Sequence, residues 1–167
     1  MHDAWTPSLL RAAAPGAKIL AILRDPIDRY VSGLAFDLAR GAPVHSVVAS
    51  DAFYRGLYGR QLSHLTRFFD RSKLLVLQYE RCVTETADEL ARTFEFLELD
   101  SHLSPPVRAD RHINATYRRK PRLTNLEVGA LVDAYEDDVL RLKENFPEID
   151  LTLWPRFSHL TARRSAI

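Results

Sequence analysis

The sequence has a single cysteine, Cys82, which excludes an internal disulfide bond and every cysteine-rich zinc site. Its six histidines show neither HxxxH nor HExxH spacing, so no metal site is expected. No apolar run approaches the roughly 20 residues that cross a membrane. Residues 1–16 also lack the basic and apolar regions of a signal peptide. These absences predict a cytoplasmic protein with no metal and no membrane contact.

What the sequence does contain is the composition of an ordinary globular protein. At 167 residues, with 46% hydrophobic and 27% charged residues, it predicts one domain, 1–167. The formal net charge is only +1, but basic residues concentrate at 108–122 and acidic residues at 127–150. Because the chain is close to neutral and the basic residues lack interleaved aromatics, nucleic-acid binding is not favoured.

Hydrophobic periodicity and capping residues predict helices alternating with two short strands. The predicted helices begin at Thr6, at Pro26 (continuing to Gly41), at Asp51 (through 69), at Thr86 and at Thr124 (over 125–146), and the predicted strands are 19–23 and 73–78. Thr86 with Glu89, and Thr124 with Glu127, have the spacing of capping boxes. Residues 41–50, residues 100–122 and the end of the chain are expected to be loops.

The alternation predicts an α/β domain with a parallel sheet. The apolar run Ile19–Leu23 is expected to be covered on both faces, as strands of parallel sheets usually are. Two parallel strands are too few for an independent sheet. Either weak strands are hidden, or the chain is part of a larger domain.

The segment 18–32, KILAILRDPIDRYVS, combines a strand with the start of a helix. Asp25 stands at the N-cap position and Pro26 at the first helical position. The end of a strand beside a helix N-terminus binds anions well, because free N–H groups and the positive dipole end point outward. Arg24, Arg29 and Ser32 add donors suited to a phosphate. The alternative is a solvated helix end with surface salt bridges.

This segment resembles the 3′-phosphate-binding motif of the sulfotransferases that use 3′-phosphoadenosine 5′-phosphosulfate (PAPS). The resemblance rests on Arg24-Asp25-Pro26 followed by Arg29 and Ser32, and it covers roughly 15–160. It continues through a strand ending in Tyr79-Glu80 and a helix ending in Phe96-Leu97-Glu98-Leu99, where the family usually has Gly in place of Glu98. Trp154-Pro155 is similar to the ends of bacterial and heparan-type members.

The resemblance implies that Arg24 and Ser32 hold the 3′-phosphate of the nucleotide. Arg29 is a third candidate, unless it points outward and pairs with Asp25 or Asp28. The implied fold is a partial P-loop-like parallel sheet flanked by helices. On this basis 15–100 is the 3′-phosphate-binding core, 101–123 a basic loop, and 124–167 a C-terminal helix and tail.

The basic loop contains six Arg or Lys residues between 108 and 122. Such runs are commonly solvated surface. In related sulfotransferases a basic loop at this point folds over the nucleotide, which makes four residues candidate ligands of the same phosphate. These are Arg118, Arg119, Lys120 and Arg122.

The family's strand–loop–helix around the 5′-phosphosulfate, with its transfer lysine, has no counterpart in this sequence, and neither has its catalytic base. Catalytic residues are therefore not assigned, and whether the chain is an enzyme by itself stays open. Two hypotheses follow. In the first, the chain is a PAPS-dependent sulfotransferase acting on a hydroxyl or amine of a carbohydrate or small metabolite, completed by another chain or a second copy. In the second, it is a truncated, non-catalytic module that binds adenosine 3′,5′-bisphosphate or a partner chain.

Overall fold

The structure, a computed structural model, describes residues 6–41, 46–100 and 120–162. Its helices are α1 (Thr6–Ala13), α2 (Pro26–Ala39), α3 (Ser46–Tyr54), α4 (Tyr58–Leu65), α5 (Tyr79–Thr84), α6 (Thr86–Leu97) and α7 (Asn125–Asn145). The strands are β1 (Ile19–Leu23) and β2 (Leu74–Gln78), and short 3₁₀ helices cover Arg71–Lys73, Leu151–Leu153 and Ser158–Ala162. Among these residues no helix is long and apolar enough to cross a bilayer.

The two strands form a parallel sheet, and this confirms the predicted α/β class. Ile19 pairs with Leu74 and Leu23 with Gln78, so both strands end at the same level. Arg24, the first residue after β1, therefore lies beside Tyr79, the first residue after β2. The chain brings the two strand ends together through a crossover that contains α2, α3 and α4.

One face of β1 differs from expectation. Leu23 is buried and Ile19 and Ala21 pack against the core, whereas Leu20 and Ile22 on the opposite face are 42% and 61% exposed. The expectation that both faces are covered is wrong for the described residues. The unbroken apolar run predicted the strand, but it did not show which face the rest of the chain covers.

The core lies between the covered face of the sheet, the helix pair α4 and α7, and the C-terminal tail. Its largest fully buried side chains come from α7 and from the residues after it. They include Tyr135, Leu142, Phe146, Trp154 and Phe157. The tail expected to be irregular consists of short 3₁₀ helices, and its aromatic side chains anchor it to the core.

Helix α4 is held against α7 by a carboxylate at its N-terminus. The buried side chain of Asp138 accepts hydrogen bonds from the backbone N–H groups of Gly59 (2.7 Å) and Arg60 (2.8 Å). A Cβ atom at Gly59 would overlap the carbonyl oxygen of Asp138, so only glycine permits this close approach. Asp138 thus supplies the cap that α4 lacks within its own segment.

Three local predictions need correction. The helix expected from Asp51 through residue 69 is two helices, because the chain breaks at 55–57, where Gly56 packs against Tyr135. Residues 41–50 are not all loop, since α3 begins at Ser46. Thr86 does not form a capping box, because its hydroxyl donates to the Cys82 carbonyl and Glu89 pairs with Arg92.

The second capping box is confirmed. Thr124 accepts from the Glu127 backbone N–H, while the Glu127 carboxylate accepts from the Thr124 backbone N–H at 2.7 Å. Helix α7 begins at the next residue, Asn125, and runs almost to the predicted end. Most of the predicted loop at 100–122 lies outside the described residues.

Candidate functional site

The turn from β1 into α2 is the centre of the site. Asp25 is the N-cap of α2, and its Oδ1 accepts from the N–H groups of Ile27 (2.8 Å) and Asp28 (3.1 Å), with Pro26 at the first helical position. This is the arrangement that the sequence predicts. It fixes the N-terminus of a 14-residue helix at the end of the sheet, where the helix dipole favours an anion.

Arg24 is oriented by two neighbours. Its guanidinium carbon lies 4.8 Å from the centroid of the Tyr79 ring, and its Nη2 lies 3.3 Å from Oδ2 of Asp28. Stacking on an aromatic face and pairing with a carboxylate both restrict a long side chain that is otherwise flexible. Since the side chain stays 25% exposed, donors of its guanidinium remain accessible to a ligand.

Glu80 connects this turn to the C-terminal tail. Its Oε1 accepts from the Asp25 backbone N–H at 2.9 Å, and its Oε2 accepts from the indole N–H of Trp154 at 3.1 Å. Because Trp154 is fully buried, Glu80 is held from both sides. Because both of its oxygens accept hydrogen bonds, the carboxylate orients the turn and the tail.

Arg156 joins the site from the tail and was missed by the sequence analysis. Its Nη1 lies 3.2 Å from Oδ1 of Asp28 and 3.5 Å from Oδ2 of Asp25. Asp28 thus pairs with two guanidinium groups, those of Arg24 and Arg156. No local pattern indicates this, because Arg156 lies 128 positions after Asp28 in the sequence.

The buried carboxylate of Asp25 sets the electrostatics of the turn. Burial raises the pKa of Asp25, while the N–H of Asp28 and the charge of Arg156 oppose that rise. Its Oδ2 is buried and makes no hydrogen bond within the described residues, so the Arg156 guanidinium is the cation that compensates it. Loss of Arg156 would leave this charge without its partner.

Arg29 and Ser32 lie further along α2, and both are half-buried. One nitrogen of the Arg29 guanidinium lies 3.4 Å from where a Cβ of Gly33 would be. Burial raises the pKa of Tyr58 to about 12, and the positive charge of Arg29 opposes part of that rise. Asp25 and Asp28, the alternative partners considered for Arg29, pair with Arg156 and with Arg24 instead.

The basic loop is described only at its end. Lys120 and Arg122 are exposed and precede α7, whereas Arg118 and Arg119 lie outside the described residues. Of the predicted ligands, the structure therefore places Arg24, Arg29 and Ser32 on one strand–helix unit. Within the described ranges, no cluster of three or more His, Cys, Asp or Glu side chains is arranged to hold a metal ion.

The known proteins that this chain matches are sulfotransferases. The family model described as "Sulfotransferase domain" matches residues 5–128. Human heparan sulfate glucosamine 3-O-sulfotransferase 6 is 30% identical over 125 residues, covering 66% of this chain and 35% of that protein. Human heparan sulfate glucosamine 3-O-sulfotransferase 3B1 is 24% identical, covering 56% of this chain and 27% of that protein. The chain thus spans about a third of the length of these relatives.

A solved structure shares the fold. The crystal structure of a sulfotransferase from Alicyclobacillus acidocaldarius matches with a TM-score of 0.69 at 21% identity, covering 91% of this chain and 63% of that one. The small parallel sheet with its flanking helices is therefore an architecture that a solved sulfotransferase also has.

Proposed function

Because this chain belongs to the sulfotransferase family, we propose that it takes part in transfer of a sulfuryl group from PAPS to a hydroxyl or amine, with the 5′-phosphosulfate loop and the base supplied by another chain or a second copy. In this proposal the turn between β1 and α2 binds the 3′-phosphate of the nucleotide. The acceptor we propose is a carbohydrate, since the curated relatives are named as heparan sulfate glucosamine 3-O-sulfotransferases.

One observation carries the nucleotide-binding part of the proposal. Arg24 is stacked on Tyr79 and paired with Asp28 at the N-terminus of α2, so its donors stay oriented beside the helix dipole. A guanidinium fork beside the positive end of a helix dipole is a chemically suitable site for a dianionic phosphate, although Asp25 already accepts from the N–H groups of Ile27 and Asp28. Ser32 adds a hydroxyl that makes no hydrogen bond among the described residues.

The binding step is tested by calorimetric titration with adenosine 3′,5′-bisphosphate. Arg24→Ala is expected to weaken binding by about 10- to 100-fold, because hydrogen bonds to charged groups contribute about 1.5–3 kcal/mol. Ser32→Ala is expected to weaken it by about tenfold or less, since its hydroxyl donates a single hydrogen bond.

Arg40→Ala is the matched control. Arg40 follows the opposite end of α2, about 20 Å away along the helix axis, and its side chain is exposed and stacked on Phe36. It should leave the affinity unchanged. If Arg24→Ala bound the nucleotide as well as Arg40→Ala does, the proposed phosphate site would be wrong.

The transfer step needs its own assay. The chain is incubated with sulfur-labelled PAPS and heparan sulfate, and label in the polysaccharide is measured after separation from the nucleotide. Incorporation that Arg24→Ala reduces would show that the chain takes part in the transfer through its nucleotide site. Nucleotide binding without any incorporation would favour a module that binds the nucleotide and does not catalyse transfer.

A further inference from the structure

We propose that Arg156 is a second arginine ligand of the 3′-phosphate, and that it forms a two-guanidinium clamp with Arg24. This inference rests on the proposed function and extends it to the C-terminal tail. Arg24 and Arg156 approach opposite oxygens of the same Asp28 carboxylate, at 3.3 Å and 3.2 Å. A group that both arginines can contact is therefore already present at the N-terminus of α2, and it is anionic.

The tail holds Arg156 in place. Two residues before it, Trp154 is fully buried and donates its indole N–H to Glu80, and one residue after it Phe157 is also fully buried. The backbone of Arg156 is thus fixed on both sides, while its side chain remains 40% exposed. Because Glu80 also accepts the Asp25 N–H, one carboxylate sets the position of both the turn and the tail.

Only one of the two ion pairs of Arg156, the one with Asp25, is buried enough to act as a stabilising contact. Its two carboxylate partners differ, since the side chain of Asp28 is 44% exposed and that of Asp25 is 4% exposed. An ion pair with an exposed carboxylate such as Asp28 contributes little to stability in water. A phosphate dianion offers more charge and more acceptor oxygens than Asp28, and arginine binds it bidentately.

In this interpretation Asp28 has two opposing effects. It keeps the guanidinium groups of Arg24 and Arg156 side by side, which favours binding of a single anion between them. Its own negative charge lies next to that anion and repels it. Neutralising Asp28 should therefore strengthen phosphate binding, whereas removing Arg156 should weaken it.

The test compares two nucleotides that differ in the 3′-phosphate. Calorimetric affinities for adenosine 3′,5′-bisphosphate and adenosine 5′-monophosphate are measured on the wild-type chain, Arg156→Ala and Asp28→Asn. Arg156→Ala is expected to weaken binding of the bisphosphate by about tenfold and to leave the affinity for the monophosphate unchanged. Asp28→Asn is expected to strengthen bisphosphate binding by about two- to fivefold, because a like charge is removed.

Arg81→Ala is the matched control, because Arg81 pairs with Asp150 of the same tail and its side chain is similarly exposed, at 34% against 40%. It should change neither affinity. If circular dichroism shows that Arg156→Ala does not fold, the same two affinities are measured on Arg156→Gln and Arg156→Lys. The lysine variant is expected to retain part of the affinity.

Three results would overturn the inference. The first is that Arg156→Ala leaves both affinities unchanged. The second is that Arg156→Ala weakens binding of both nucleotides equally. The third is that Asp28→Asn weakens binding of the bisphosphate as Arg156→Ala does. The last two would show that the ion cluster only maintains the shape of the turn. A wild-type chain without preference for the bisphosphate would instead contradict the proposed function itself, so the two failures are distinguishable.

Discussion

At the scale of single residues, Glu98 has the left-handed backbone conformation that glycine commonly adopts at the end of a helix. It ends α6 with φ 58° and ψ 36°, in the left-handed region that is unfavourable for residues with a Cβ atom. Its carboxylate pairs with Lys18 at 2.9 Å, and Lys18 also donates to the Phe96 carbonyl. The position where the sulfotransferases usually have Gly is thus one where the local backbone still has the conformation that suits Gly.

Glu98→Gly is therefore expected to stabilise the chain. Relief of the left-handed strain should exceed the loss of an ion pair whose carboxylate is 83% exposed. We expect a rise in Tm of about 2 °C, measured by circular dichroism or calorimetry. Glu98→Ala, which loses the ion pair and keeps the strained backbone, should lower Tm. A lower Tm for the glycine variant would mean that the Lys18 contact dominates.

Residues of the site differ in how far the sequence predicts them. The cap formed by Asp25 and Pro26, and the place of Arg24 at the strand end, follow from neighbouring residues and are confirmed. The partners of Glu80 and the approach of Arg156 depend on contacts 55 to 128 positions apart. Propensity and spacing carry no information about such contacts, so these parts of the site became visible only in the fold.

At the scale of elements, helices α4 and α7 contain two glycines with different roles. Gly59 is required where the helices touch, and Gly129 lies away from that contact. Gly59 lies where a Cβ would overlap the backbone of α7, next to the Asp138 cap. Gly129 lies within α7, is exposed, and has no heavy atom within 4 Å of its possible Cβ. The same substitution should therefore have opposite effects at the two positions.

Gly59→Ala is expected to lower the free energy of unfolding by about 2 kcal/mol or more, because α4 must move away from α7. Gly129→Ala is expected to raise it by about 0.5–1 kcal/mol, as alanine favours the helix over glycine. Urea denaturation of both variants measures these changes. Equal effects of the two substitutions would show that α4 and α7 are not in close backbone contact.

The same contact explains why the element boundaries after Asp51 could not be predicted. Apolar residues recur at helical spacing from 53 to 69, which indicates one helix. The chain bends at 55–57, where the backbone of Gly56 packs so closely against Tyr135 that a Cβ would lie 2.7 Å from its hydroxyl oxygen, and α4 starts beside Asp138. Periodicity identifies the apolar face of a segment, whereas a helix on a distant part of the chain decides where that segment bends.

At the scale of the whole molecule, the order of elements predicted the fold class but not the extent of the sheet. Two parallel strands and the helices around them form an α/β domain, and a solved sulfotransferase shares this fold. The outward face of β1, with Leu20 and Ile22 exposed, is the part of the sheet for which local pattern predicted cover that the described residues do not supply.

We propose that this fold binds a nucleotide through its 3′-phosphate at the end of β1. The most direct measurement is the ratio of calorimetric affinities of the wild-type chain for adenosine 3′,5′-bisphosphate and adenosine 5′-monophosphate. We expect a preference of about tenfold or more for the bisphosphate, which Arg24→Ala abolishes while Arg40→Ala preserves it. Equal affinities for the two nucleotides, or a preference that survives Arg24→Ala, would contradict this proposal.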